Sequence, residues 1–164
     1  LSEALAIAAQ DTHAIMAERI FESGLNSDGT EIGVYDYQNP IYVDPKISPK
    51  NFPVTGKNGG SKFSDGKTHK TGYFESYQEY RKKIGRQTSR VDLTLSGLFK
   101  SDLSRAVVKI SEFVYASKVS QQRSIDIMDG VKNKYGDVFS LSKNERENFI
   151  ETLEYESLRI MKGA

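Results

Sequence analysis

Helices at both ends, alternating runs between them and one long inserted loop predict a single domain of α+β class. Three observations carry that expectation. Residues 2–23 hold an apolar stripe at helical spacing, residues 142–162 open on a capping box, and short segments between them alternate with the period of a strand. The loop, residues 38–72, contains all four prolines and separates a core of residues 1–37 and 73–164.

In the first segment Leu5, Ala8, Ala9, Thr12, Ile15, Met16, Arg19 and Ile20 recur three and four apart, and Phe21 extends the stripe. Ser2 is placed to cap the first turn. Gly24 then stops the helix in the left-handed conformation, and Asp28-Gly29 turns the chain into a strand from Glu31 to Tyr37. Asn26, Asp28 and Gly29 imitate positions 3, 5 and 6 of a calcium loop, but that alignment puts Gly24 and Tyr35 where carboxylates are required. The stretch reads as a turn. In the strand Ile32, Val34 and Asp36 share one face, and Gly33, Tyr35 and Tyr37 the other.

Beyond the loop, Tyr73, Tyr77, Tyr80 and Ile84 line one face of a helix that Gly85 ends. Val91, Leu93 and Leu95 alternate with Asp92 and Thr94 as a half-buried strand, and Gly97 stands at its end, where the chain bends or needs a positive φ. Residues 106–119 are rich in β-branched and aromatic side chains, enough for one long strand or two short ones. Ile125, Met128 and Val131 suggest a helix over 121–134, weakened by Gly130. Ser142 to Glu145 then forms the capping box of a last helix carrying Phe149, Ile150, Leu153, Leu158, Ile160 and Met161.

A chain of 164 residues with 37% apolar and 27% charged content suits a soluble globular domain, and a net charge of +1 gives no global field toward nucleic acid or membrane. The absence of cysteine excludes disulfides, thiolate chemistry and cysteine-based zinc sites. The apolar run Ala4 to Ala9 is too short to span a bilayer and lacks the basic region of a signal peptide, so a cytosolic product is the expectation, with a start at Leu1 suggesting a few residues lost. Chemistry is scarce. Gly60 to Thr68 imitates a phosphate-binding loop, yet five residues separate Gly60 from Gly66 and no buried strand precedes it. His13 reads as a partly exposed helix residue, and His69 lies on a glycine-rich loop that cannot hold a catalytic base rigid. The last helix interleaves Glu145, Glu147, Glu151, Glu154 and Glu156 with Lys143, Arg146, Arg159 and Lys162, a solvated ion-paired surface. No enzyme, cofactor or metal is expected.

Two blocks carry a family likeness. Arg19-Ile20-Phe21 with Gly24, then Ile32-Gly33 with Tyr35, precede the loop. Tyr80-Arg81 and then Val91, Leu93, Ser96, Gly97 and Leu98 follow it. This order resembles proteins of the tailed-bacteriophage neck: the virion-morphogenesis, head–tail connector and tail-completion proteins. Residues 135–150 are a weaker third echo. The blocks cover roughly a third of the chain. The resemblance implies an antiparallel sheet packed against the long N-terminal helix, with further helices around it, including the C-terminal one. It also implies a mechanical function: copies close a ring at the virion neck, joining the capsid portal to the tail or terminating the tail tube. The subunit would be made in the host cytoplasm. Its partners would be identical subunits and portal, adaptor or tail-tube proteins, with packaged DNA at the lumen and no membrane.

In that reading Gly24, Gly29, Gly33, Gly85 and Gly97 are structural, and the loop with its flanks is the interface. Tyr35, Tyr37, Tyr42, Tyr73 and Tyr77 flank it as exposed contact residues. Lys46, Lys50, Lys57, Lys62, Lys67 and Lys70 face only Asp44 and Asp65 within it, and Phe52 and Phe63 are its anchors. A solvated loop and a basic arm that orders on an acidic surface or nucleic acid are both compatible with this composition. A nucleic-acid-binding module that uses these lysines is the rival function, and a small enzyme of unrecognised type the third.

Overall fold

The computed structural model describes residues 1–43, 72–94 and 97–163. In chain order the elements are α1 (Ser2–Glu18), a π-helical turn (Arg19–Ser23), β1 (Ile41–Val43), β2 (Gly72–Phe74), α2 (Tyr77–Lys83), α3 (Leu98–Ser104), β3 (Val107–Ser111), β4 (Val114–Ser117), α4 (Gln122–Tyr135) and α5 (Lys143–Met161). Their contacts gather into two compact units, Leu1–Gly33 with Val91–Ala164, and Val34–Arg90.

The first unit has the α+β architecture expected. Helix α1 packs on α5 along its length and on the antiparallel pair β3–β4, with α3 beside it. Ala4, Ala8, Met16, Ile20 and Phe21 are buried along the α1 stripe, and Phe21 meets Phe99 of α3 edge to face at 5.7 Å. The 106–119 region resolves into two short strands, and the last helix opens on the full capping box of Ser142 and Glu145. Ser2 does not cap α1. The Leu5 N–H already bonds to Leu1 O at 3.0 Å, so the helix begins one residue earlier, and the Ser2 hydroxyl instead accepts from Lys109 Nζ at 3.2 Å.

Two expected strands do not form among the described residues. From Glu31 onward only an isolated bridge, Leu25 to Glu31, is made. Gly33 takes φ +142°, which breaks the alternation, so that Ile32 and Tyr35 are buried while Val34 is exposed. A side chain there would also meet the Tyr135 ring at 3.1 Å. The Asp36 carboxylate then accepts from the N–H groups of Gln38 and Asn39, a local turn that competes with strand pairing. Asp92 does the same at the second site, where its carboxylate takes the Thr94 N–H at 2.9 Å and Leu93 sits at φ +50°. Gly97 has the positive φ expected, +81°, but as the N-cap of α3 rather than the end of a strand.

In the second unit β1 and β2 pair antiparallel, with Ile41 opposite Phe74, Tyr42 opposite Tyr73 and Val43 opposite Gly72. Both ends of the stretch read as patternless are therefore strand. Tyr73 belongs to β2 and not to a helix, because α2 starts at Tyr77 after Ser76, whose hydroxyl accepts from the Glu79 N–H. Gly85, at φ +70°, follows the end of α2 as expected. Phe74 and Tyr80 stack edge to face at 5.0 Å, and Tyr35 and Tyr77 at 5.5 Å. The buried Arg81 guanidinium lies 4.1 Å above the Tyr35 ring.

Candidate assembly surface

Arg19 is densely bonded within the first unit. The π-helical turn closes where the N–H groups of Gly24 and Leu25 both return to Arg19 O, and Gly24 takes the left-handed conformation that the turn needs. That turn brings the guanidinium against the 137–145 segment. Its Nε donates to Glu145 Oε1 at 2.6 Å, Nη1 to Leu25 O and Val138 O, and Nη2 to Ser140 O and Glu145 Oε2. Guanidinium has five N–H donors, and all of them are used. Glu145 serves twice, since Oε2 also accepts from the Ser142 N–H at 2.7 Å in the capping box. Only 2% of the Glu145 side chain is exposed, so it leaves the solvated ion-paired surface expected of it.

His13 is buried as well, not partly exposed. Its Nε2 lies 2.6 Å from Leu103 O, an arrangement in which neutral imidazole donates, and burial holds its pKa below the ordinary value against the opposing charge of Glu145. Asp102 accepts from the Ser120 hydroxyl and from the Ser120 and Gln121 N–H groups at the start of α4. These bonds, with one from Ser124 the strongest, lower its pKa to about 2. Asp28 bonds to the N–H and hydroxyl of Thr30, which makes the calcium-like stretch the turn it was read to be.

What is left over is apolar surface. Ile110, Phe113 and Val114 stand more than two-fifths exposed on the β3–β4 hairpin. Between that hairpin and α1 lies a half-open groove of about 440 Å³, walled by Leu5, Ala9, Met16, Val107, Phe113 and Phe149, with Thr12 and His13 also lining it. On α5 Ile150, Tyr155, Leu158 and Met161 are exposed.

Of the residues expected to form an interface, Tyr35 is core, 4% exposed beneath Arg81, which takes it out of any contact surface. Tyr37 is exposed and Tyr77 is half-buried. Tyr42 and Tyr73 are cross-strand partners. Lys46, Lys50, Phe52, Lys57, Lys62, Phe63, Lys67 and Lys70 lie outside the described residues, as do the phosphate-loop imitation and His69. The hairpin and α5 surfaces carry no motif, and only the β-branched and aromatic content of 106–119 and the apolar residues scattered among the charges of the last helix hint at them. Among the described residues no helix is long and apolar enough to cross a membrane, and no cluster of His, Asp and Glu could hold a metal ion. Comparison with protein-family models, with curated proteins and with solved structures finds no match for this chain.

Proposed function

We propose that this chain is a structural subunit of a tailed-phage neck, one member of a ring that joins the capsid portal to the tail or terminates the tail tube. The observation that carries the reading is the Arg19 knot. Arg19 comes from the first block of the resemblance, and Val138, Ser140 and Glu145 come from the third echo, over 110 residues away. Their meeting in one saturated, buried cluster supports the view that the shared pattern encodes a fold. Tyr80, Arg81, Ile32 and Tyr35 are likewise buried in their units, and Gly24, Gly33 and Gly97 hold positive φ. The groups most suited to chemistry are all engaged: His13 by a backbone carbonyl, Asp102 by the Ser120 hydroxyl and backbone N–H groups, and Glu145 by Arg19. The remaining apolar surfaces suit protein contact, which is what a non-catalytic ring subunit requires.

The test is placement. In phage particles assembled with an affinity-tagged copy, negative-stain images should show the tag at the head–tail junction. A tag on the capsid lattice, at the tail tip, or absent from particles overturns the reading.

A further inference from the structure

Rings need two different surfaces that fit each other, and the first unit carries a candidate for each. The groove between α1 and the β3–β4 hairpin presents a hollow. Its α1 wall runs from Leu5 through Ala9 and Thr12 to Met16, and no charged side chain lines it. At its floor the buried Thr12 hydroxyl has no hydrogen-bond partner, which leaves a polar group for an occupant to satisfy. Beyond the Leu5 end stands Lys109, whose ammonium touches the Ser2 hydroxyl and forms no ion pair among the described residues.

The ridge is on α5. At about 100° per residue, Ile150, Glu154, Leu158 and Met161 fall within roughly 80° of one another on the helix. All four are exposed, while Phe149, Leu153 and Ile160 on the other side are half-buried toward α1. Glu154 stands within this face and Glu151 at its edge, and neither has an ion-pair partner among the described residues. The stripe from Ile150 to Met161 and the α1 wall from Leu5 to Met16 each span about 16 Å of helix. Phe149 of α5 faces the groove, so the ridge points away from the groove of its own subunit. No copy can fill its own hollow.

We propose that the groove receives the outer face of α5 from a second copy of this chain, a helix-in-groove contact that joins copies head to tail. Ile150, Leu158 and Met161 enter between α1 and the hairpin against Phe113 and Met16, and where the two helices run parallel Glu151 comes to the Leu5 end, beside Lys109. Such a contact uses different surfaces on the two partners, so it propagates and, where the rotation between copies closes, forms a ring, whereas a two-fold dimer would stop at two. This inference rests on the assembly reading above and supplies one of its edges.

The chain has no cysteine, so disulfide trapping starts from a clean background. Ala9→Cys marks the groove, and Leu158→Cys or Glu154→Cys marks the ridge for the two possible helix directions; all three sites lie on or near the surface and tolerate a small side chain. Oxidation of a concentrated double variant should give a ladder of linked oligomers. Each single variant alone should stay monomeric, and a mixture of a groove variant with a ridge variant should stop at dimers. Dimers formed by a single variant alone, or double variants in both pairings that remain monomeric, overturn the proposal. Lysine cross-linking of the wild-type chain at the same concentration separates the two failures: higher oligomers there leave the assembly reading standing on another contact, and monomers alone remove its support as well.

Discussion

Arg19 donates five hydrogen bonds from a side chain that is 9% exposed, and its carboxylate partner is 2% exposed. Deleting the guanidinium leaves a buried carboxylate and three carbonyls without their donor. Arg19→Met should therefore cost about 3–5 kcal/mol of stability, the range for breaking a buried pair from one side. Arg19→Lys should recover only part, because an ammonium cannot reproduce the fork. Denaturant midpoints measure both, and an Arg19→Met midpoint within error of wild type would contradict the knot. Acid should act in two windows. His13 has a folded pKa below its ordinary 6.5, so the stability that it contributes is fully present above pH 6.5 and is lost as pH falls below that value. Asp102 is held down to about 2 from 3.8, so its contribution is present above pH 3.8 and is lost between there and about 2. Melting temperature against pH should show both declines, and His13→Gln should remove the upper one alone. None of these roles was legible in the sequence. His13 meets a carbonyl 90 residues away and Arg19 a carboxylate 126 away, and no local pattern encodes partners at that distance.

Elements whose determinants are local were the legible ones. The capping box of α5 needs only Ser142 and Glu145, and the start of α4 and the α1 stripe are written within a few turns. The missed elements fail for equally local reasons that outweigh periodicity. Alternating residues near Asp36 and Asp92 look like strands, yet each aspartate captures backbone N–H groups two or three residues on, which removes donors from any ladder. Helix α3 went unseen because it is seven residues long and opens on a glycine. Gly97 gives the prediction at this scale. A Cβ there would touch nothing within 4 Å, so any cost of Gly97→Val comes from holding a β-branched residue at φ +81°. That should be about 1–3 kcal/mol. Gly130, also with open space but without a positive φ, is the control, and Gly130→Ala should be neutral or stabilising. A thermal melt that separates the two variants in this direction supports the left-handed N-cap, and equal melts refute it.

For the whole molecule, the stretch from Asp44 to Gly72 is where fold and assembly should separate. Six lysines face two aspartates in it, and Ile47, Phe52, Val54 and Phe63 are its large aliphatic or phenyl side chains, too little apolar surface to fold alone. Its two ends are already joined: Val43 pairs with Gly72 and Ile41 with Phe74, so the chain leaves and returns on neighbouring strands. Closing that gap with a shorter connection changes the loop entropy only slowly with length, about 0.6 kcal/mol per halving. Replacing Ser48 to Lys67 by a short glycine-serine bridge should thus leave the melting curve nearly unchanged. On the proposed function the same deletion should block incorporation into particles, because four of the six lysines and both phenylalanines would no longer reach a neighbouring subunit or the DNA channel. Both measurements are needed on one variant. Unfolding would mean that the stretch belongs to the core of its unit, and normal infectious particles would mean that it is only a tolerated insertion.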